Sequence, residues 1–241
     1  MTAEAALREK LSTCARIFAM QELLGLFGHI SAYDPDTQRV YFSPSMGAEK
    51  STVQPADILV ADLSGQVLEG KQRLPIEWPI HTALHAARKD ALAVAHLHAP
   101  CATLYAIARR EFRPVTLQGA LFGNGVPLYT EPRLVKTVAQ GQRLAAVIGD
   151  KRAAFLRGHG IALAGRDIEE MFYSSLVLED EARKAMEAAA LGELHSLSAE
   201  ECLGFDADVD LQMRCQRAWR YFTQLEQRWN KQPGTGRVAF V

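Results

Sequence analysis

The sequence predicts an α/β fold in which helices cover the faces of a mixed β-sheet. Short strand-like runs and longer helical runs follow one another without strict alternation, and this pattern favours a mixed sheet over a purely parallel one. The chain has 241 residues, of which 48% are hydrophobic, so it can bury a continuous core without disulfide bonds. Because no repeat, low-complexity tract or linker divides it, we expect one domain over residues 1–241.

The chain is predicted to begin with a helix and to continue with strands. Thr2 is a suitable N-cap, and a set of apolar residues then recurs at helical spacing as far as Gly25. These residues are Leu7, Leu11, Cys14, Phe18 and Leu24. Strands are predicted at residues 39–43, 58–62 and 67–68, with a turn at 63–66 before the last of them.

The middle of the chain alternates between helical and apolar segments. A helix is predicted over residues 77–89, and the short apolar run at 91–98 predicts a buried strand. Pro100 then begins a second short helix that ends at Arg109. A glycine-rich stretch at 118–126 follows.

The last third is predicted to be mainly helical. Pro132 suits the first turn of a helix that ends before Gly149, and residues 153–156 predict a strand. Asp167 is the expected N-cap of a long helix that reaches Leu191. Residues 199–229 predict one further helix.

Charge and cysteine content exclude several classes of partner. Lys and Arg number 27 against 28 Asp and Glu, so the net charge of -1 gives no reason to expect a nucleic acid or an anionic membrane as partner. The N-terminus lacks the apolar stretch of a signal peptide, and no segment approaches a membrane span. The cysteines are far apart and form no C-x-x-C pair: Cys14, Cys101, Cys202 and Cys215. We therefore expect reduced thiols, a cytoplasmic protein and a small-molecule partner.

Three histidines have the spacing of a metal site. His96 and His98 lie two residues apart on a predicted strand, so both rings should project from the same face of the sheet. His159 lies between two glycines directly after another predicted strand, where the backbone can turn sharply and aim the ring into a cleft. Three imidazoles with an open fourth position are typical of a catalytic metal ion.

Other interpretations of these histidines remain open. His96 and His98 could instead be half-buried residues bonded to the backbone, and His159 could be an ordinary loop residue. Glu77, His81 and His85 recur at i, i+4 and i+8 on one helix face and form a second possible cluster, although packing or surface roles are the simpler interpretation of the two histidines. The sequence contains no H-E-x-x-H, Walker, G-x-G-x-x-G or G-x-S-x-G motif.

A series of motifs resembles the class II aldolase/adducin family, from about Gly25 to Ala182. In chain order they are G-H-I-S at 28–31, F-S-P-S-M-G-A-E-K at 42–50, D-L-S-G-Q-V-L at 62–68, L-P-I-E at 74–77 with I-H at 80–81, A-H-L-H-A-P at 95–100 and L-R-G-H-G-I at 156–161. Each motif is weak alone, but H-x-H followed by H-G at this separation is specific.

This resemblance implies a three-layer α/β/α fold with a central mixed, mainly antiparallel sheet. It also implies one divalent metal ion on His96, His98 and His159. Zinc suits three imidazoles best, while manganese or another transition metal can take the same geometry. Glu77 has the position of the family's catalytic acid/base, and the family's sites lie between the subunits of a homotetramer. The resemblance thus predicts a metal-dependent lyase that stabilises an enolate.

Departures from the family's aldolases favour its decarboxylating branch. The sugar-phosphate aldolases carry Ser-Ser before the catalytic glutamate, whereas this chain has Pro75 and Ile76, which offer no hydroxyl. They carry G-N-x-S where this chain has G-H-I-S at 28–31. The small-residue anion loop is partly kept at 43–47. The resemblance therefore implies substrate contacts from a set of residues on these loops: His29, Ser31, Ser45, Gly47 and Arg157.

Three functions compete on this basis. The first is decarboxylation of a non-phosphorylated hydroxy- or oxo-carboxylic acid of the kind met in aromatic catabolism. The second is an aldolase or epimerase reaction on a sugar phosphate, and the third is a metal-free interaction module such as the adducin head. Arg157, Arg113 and Lys50 could each hold a carboxylate, or could each be a surface charge.

Overall fold

The computed structural model describes residues 2–45, 47–208 and 210–231, which contain seven helices and eight strands. The helices are α1 (Ala3–Met20), α2 (Trp78–Ala87), α3 (Pro100–Ala108), α4 (Val138–Ile148), α5 (Ile168–Ala189), α6 (Ala199–Asp208) and α7 (Leu211–Lys231). The strands are β1 (His29–Asp34), β2 (Arg39–Phe42), β3 (Leu59–Ala61), β4 (Val67–Glu69), β5 (Ala93–Leu97), β6 (Leu128–Tyr129), β7 (Ala153–Leu156) and β8 (Gly160–Gly165).

All eight strands join one sheet in the order β4-β3-β2-β1-β5-β8-β7-β6. Neighbouring strands are antiparallel except β6 and β7, which are parallel. The mixed, mainly antiparallel sheet is thus confirmed. The register pairs His29 on β1 with His96 on β5, and His96 with Ala162 on β8. The centre of the sheet therefore brings the first motif of the sequence beside the H-x-H motif.

Helices cover both faces of the sheet, which confirms the three-layer α/β/α arrangement. Ala93, Ala95 and Leu97 of β5 pack into a core with α1, α3 and α5, while Val94 packs on the other face against α2 and α4. This alternation follows from the two-residue repeat of a strand that is buried on both faces. Among the described residues, no helix is long and apolar enough to span a bilayer. That residues 1–241 form one domain stays a prediction.

Most predicted elements are present, but one helix begins later than predicted. Pro132 does not start α4; the helix starts at Val138, after a capping box in which the Thr137 hydroxyl accepts the Gln140 N–H and the Gln140 side chain accepts the Thr137 N–H. In the segment before it, the Val135 N–H donates to the carboxylate of Glu77, the N-cap residue of α2. The prediction relied on proline and overlooked the T-x-x-Q signal.

The predicted helix at 199–229 is in fact two helices, α6 and α7. The Asp210 carboxylate accepts the N–H of Met213 and so caps a new helix. Strands β1, β6 and β8 were not predicted. In β8 the sequence G-I-A-L-A-G is poor in β-branched residues, yet small residues are required there, because a Cβ on Gly160 would lie 2.4 Å from the Leu97 carbonyl oxygen.

Candidate active site

The three predicted metal ligands converge at one end of β5. His96 lies on β5, His98 follows the end of that strand, and His159 lies in the turn between β7 and β8. One nitrogen atom from each ring lies within 4.8 Å of those of the other two, and their ring centroids are 4.8–5.1 Å apart. Three imidazoles gathered in this way can hold one metal ion.

The turn that carries His159 depends on Gly158. The His159 N–H donates to the Leu156 carbonyl at 3.0 Å and closes a tight turn, in which Gly158 has a φ of +65°. A left-handed residue at this place favours glycine, because a Cβ would clash with the backbone. The R-G-H-G motif thus aims the ring of His159 towards β5.

The hydrogen bonds of this cluster leave ligand atoms free. His96 Nδ1 lies 3.0 Å from the Ile161 carbonyl, which can only accept, so Nδ1 carries the proton and Nε2 is left with a lone pair. Within the described residues, His96 Nε2 and His159 Nδ1 are buried and make no hydrogen bond. Burial, with the neighbouring His96 and His159, lowers the pKa of His98 to about 4. Buried, unprotonated and unpaired imidazole nitrogens fit a divalent metal ion.

Glu77 completes the cluster from the first residue before α2. Its Oε2 lies 3.3 Å from His96 Nε2 and 3.4 Å from His159 Nε2, while its Oε1 accepts the Val135 N–H at 2.8 Å. Burial alone would raise the pKa of this carboxyl, but His96, His159 and the Val135 amide outweigh burial and lower it. The carboxylate is therefore ionised beside the imidazoles, and its Oε2 faces both His96 and His159.

A cavity of about 470 Å³ opens over this cluster. Its lining comprises Leu26, Phe27, Gly28, His29, Ser45, Gly47, Ile76, Glu77, His98, Leu134 and His159. Three predicted substrate residues, His29, Ser45 and Gly47, are thus brought to the predicted metal ligands. None of the described lining residues is a lysine or an arginine. The cavity joins an apolar wall to one acidic and several imidazole groups.

Two other predicted substrate residues lie elsewhere. Ser31 is fully buried and does not line the cavity; its hydroxyl lies 2.7 Å from His81 Nδ1 and 2.8 Å from His85 Nε2. The strand explains this placement, since β1 is covered by α2 on that face. Arg157 sits in the β7–β8 turn outside the cavity, and its guanidinium donates to the Thr130 carbonyl. Ser31 and Arg157 were both expected to contact the substrate, but each of them contacts other groups of the protein instead.

The two remaining candidate cations are also engaged away from the cavity. The Lys50 ammonium is buried and donates to the Pro44 carbonyl, and burial lowers its pKa. Arg113 pairs with Glu111 at 3.1 Å on the surface. Neither side chain lines the cavity, so neither is placed to hold a substrate carboxylate there.

His81 and His85, for which the sequence favoured a packing or surface role, lie in a cluster of buried polar side chains. Both are buried on the face of α2 that meets β1, and His29 Nδ1 lies 2.6 Å from His81 Nε2. Six of the seven histidines therefore form one cluster, from which only His195 is excluded. The i, i+4 spacing on α2 was the available signal, and a surface role for this pair is wrong.

Residues 9–186 match the class II aldolase and adducin N-terminal domain. The chain belongs to this family. The matched segment runs from α1 into α5 and contains all the residues of the candidate active site. Class II aldolases depend on a divalent metal ion, in agreement with the histidine cluster.

Relatives within the class II aldolase and adducin family include two kinds of carbon–carbon lyase. A 3,4-dihydroxyphthalate decarboxylase of Rhodococcus jostii is 26% identical over 77% of this chain and 81% of its own length. An L-fuculose phosphate aldolase of Methanocaldococcus jannaschii is 24% identical over 73% of this chain and 93% of its own length. These relatives support an enzyme of the lyase class.

The fold is also that of solved members of the superfamily. The crystal structure of an aldolase II superfamily protein from Pseudomonas syringae superposes with a TM-score of 0.83 at 20% identity, over 95% of this chain and 94% of the other. At this identity the similarity shows the fold alone. It agrees with the mixed sheet and its two helical layers.

Proposed function

We propose that this chain is a metal-dependent lyase that decarboxylates a non-phosphorylated hydroxy- or oxo-carboxylic acid. The observation that carries the proposal is the convergence of His96, His98 and His159 with Glu77 under a cavity whose described lining residues include no lysine or arginine. The 3,4-dihydroxyphthalate decarboxylase of Rhodococcus jostii supports the reaction type, since the substrate in its name is a hydroxylated aromatic diacid.

The histidine cluster would hold one divalent ion, with zinc favoured by three imidazoles and manganese or another transition metal as alternatives. When bound, the ion supplies positive charge that polarises a substrate carbonyl or hydroxyl oxygen. His96 Nε2 is prepared for this role, because the Ile161 carbonyl holds its proton on the other ring nitrogen.

Glu77 would move the proton. In decarboxylation the bond between carbon and carboxylate breaks, carbon dioxide leaves, and the electron pair remains on the substrate as an enolate until the carbon is protonated. Ionised Glu77 first accepts a proton from a substrate hydroxyl or from water and then donates it to that carbon. The Val135 N–H fixes one carboxylate oxygen, so the other oxygen is the one that exchanges the proton.

The cavity wall supports a flat, non-phosphorylated substrate. Ile76 lines the cavity where a hydroxyl would help to hold a phosphate, and Pro75 beside it has no N–H to donate. Phe27 stacks on His98 with ring centroids 5.7 Å apart, and Leu26 and Leu134 extend this apolar surface. Such a wall suits an aromatic or short unsaturated acid.

An aldolase or epimerase acting on a sugar phosphate is the second candidate. It is favoured by the fuculose phosphate aldolase relative and by Ser45 and Gly47, which line the cavity on the loop that resembles the family's anion loop. The metal-free interaction module has less support, because all four metal-site residues are present and converge.

The working form is proposed to be a cytoplasmic homotetramer with sites at the subunit interfaces. Leu26, Phe27, Ile76 and Leu134 at the cavity are 41–67% exposed in the isolated chain. Exposed apolar side chains in one patch are typical of a surface that a second protein covers. Light scattering that shows a fully active monomer would contradict this assembly.

The reaction is tested on metal-loaded protein with two substrates. We expect carbon dioxide release from hydroxylated aromatic dicarboxylates such as 3,4-dihydroxyphthalate, and no cleavage of L-fuculose 1-phosphate. Metal content is measured on the same sample by emission spectrometry, with His195→Ala as the control variant, since His195 is exposed and lies outside the cluster. Aldol cleavage without carbon dioxide release would favour the second candidate.

A further inference from the structure

Four buried side chains form an unbroken hydrogen-bonded chain that begins at the cavity. His29 Nδ1 lies 2.6 Å from His81 Nε2, His81 Nδ1 lies 2.7 Å from the Ser31 hydroxyl, and that hydroxyl lies 2.8 Å from His85 Nε2. The chain ends where His85 Nδ1 meets the Ala91 carbonyl at 2.5 Å. The four side chains are at most 4% exposed.

The end of the chain determines the direction of every bond in it. The Ala91 carbonyl can only accept, so His85 carries its proton on Nδ1 and its Nε2 accepts from the Ser31 hydroxyl. The Ser31 oxygen then accepts from His81 Nδ1, which leaves His81 Nε2 as an acceptor. Burial lowers the pKa of His85 to about 4 and that of His81 well below its ordinary value, in agreement with neutral rings.

We infer that this chain fixes His29 as a hydrogen-bond acceptor in the cavity and thereby selects a substrate that carries a hydroxyl group there. His29 must donate from Nδ1 to His81, so its Nε2 holds a lone pair on the side of the cavity that His29 lines. Ser31, His81 and His85 are positioning residues, because they act on the substrate only through His29.

The inference rests on the proposed function in one respect, which is that the cavity is the substrate site. His29 has a ligand atom within 4.8 Å of one on Glu77 and one on His96, so the selected hydroxyl would lie next to the proton-transfer group. An ether or a deprotonated oxygen at this place would set two acceptors against each other, and an unpaired buried acceptor is costly. A phenol or an enol would satisfy His29 by donating.

The hydrogen-bond directions are tested first, without any substrate. Long-range proton–nitrogen correlation spectra of the full-length zinc-loaded protein, labelled with 15N in histidine, report which ring nitrogen carries the proton. We expect Nδ1–H at His29, His81 and His85, assigned by the loss of signals in single variants. An Nε2–H form at any of the three, or a metal-bound Nε2 at His29, would overturn the inference.

The selectivity is then tested by binding, which needs no turnover. Calorimetry compares 3,4-dihydroxybenzoate with its two monomethyl ethers. We expect one ether to bind at least tenfold more weakly to the wild type. The ratio of the dissociation constants of the ether and the parent compound should approach one in His29→Ala. It should also fall in Ser31→Ala, where the His81 ring is free to adopt the other tautomer and donate to His29. It should stay unchanged in His195→Ala.

The two tests separate the inference from the reaction. Equal binding of all three compounds to the wild type, or a ratio that survives both His29→Ala and Ser31→Ala, would overturn the inference. If Ser31→Ala does not fold, the wild-type spectra and His29→Ala decide. Nδ1–H at all three rings with the expected binding ratio, but without carbon dioxide release, would support the inference and refute the proposed decarboxylation.

Discussion

Replacement of Glu77 by glutamine separates proton transfer from metal binding. Glutamine keeps the shape of the side chain and an acceptor oxygen for the Val135 N–H, which lies 2.8 Å from Glu77 Oε1. The hydrogen bond that holds the side chain, worth about 0.5–1.5 kcal/mol, is therefore kept. The amide replaces only Oε2, the oxygen that lies 3.3 Å from His96 Nε2.

The expected loss is in the rate alone. Because an amide cannot accept and return a proton, kcat should fall by about 10²–10⁴. That fall corresponds to about 3–5 kcal/mol of activation free energy, at about 1.4 kcal/mol for each factor of ten. His96, His98 and His159 are unchanged in Glu77→Gln, so the bound metal should stay at the wild-type stoichiometry.

The assay is carbon dioxide release from 3,4-dihydroxyphthalate under saturating substrate, with metal content measured on the same preparation. The matched control is Glu111→Gln, which removes a carboxylate that is exposed and pairs with Arg113 on the surface. Wild-type turnover in Glu77→Gln would refute the acid/base role. Loss of the metal together with activity would show instead that Glu77 is an essential ligand.

Three further predictions follow from the same geometry. His98→Ala should lose bound metal and activity while keeping its circular dichroism spectrum, whereas His195→Ala should keep all three; metal retained in the first variant would contradict the ligand assignment. The double variant Pro75→Ser, Ile76→Ser should bind inorganic phosphate about tenfold or more tightly, as measured by calorimetry, because two hydroxyls are restored. The free energy of unfolding should be highest above pH 6.5 and fall by about 3 kcal/mol towards pH 4, because His85 takes up a proton in the unfolded chain but stays neutral in the fold, where its pKa is lowered to about 4. Urea unfolding of His85→Gln across this range should show a smaller fall, and an unchanged slope would contradict the pKa.

The metal ligands could be predicted from sequence because the signals are local. A two-residue step along a strand places His96 and His98 on one side, and a glycine on each side of His159 marks a tight turn. Both features depend on neighbouring residues in the sequence and not on tertiary contacts. The family resemblance then supplied the one non-local fact, that β5 and the β7–β8 turn lie side by side.

The chain of buried polar groups depends on contacts that the sequence does not show locally. Ser31 contacts His81 and His85 only because β1 pairs with β5 and α2 packs across both. Two signals for it were nevertheless present. His29 and Ser31 lie two apart on a strand, and His81 and His85 lie four apart on a helix, so each pair faces one way. What the sequence could not show is that the two faces meet.

The charge of the substrate connects the apolar cavity wall and the orientation of His29 with the type of reaction. A phosphate brings charge that persists through aldol cleavage, and the described cavity lining offers no lysine or arginine to hold it. When a carboxylate leaves as carbon dioxide, its negative charge passes to the enolate and is spread over the conjugated substrate until the carbon is protonated. The apolar side chains of Phe27, Ile76 and Leu134 solvate the localised charge of a carboxylate poorly, so we expect them to favour the step in which that charge becomes delocalised. His29, held as an acceptor by His81, disfavours an anion at its place and favours a neutral hydroxyl there. We therefore expect the wall that weakens phosphate binding to favour decarboxylation as well, and Ile76, which replaces a serine of the sugar-phosphate aldolases, belongs to that wall.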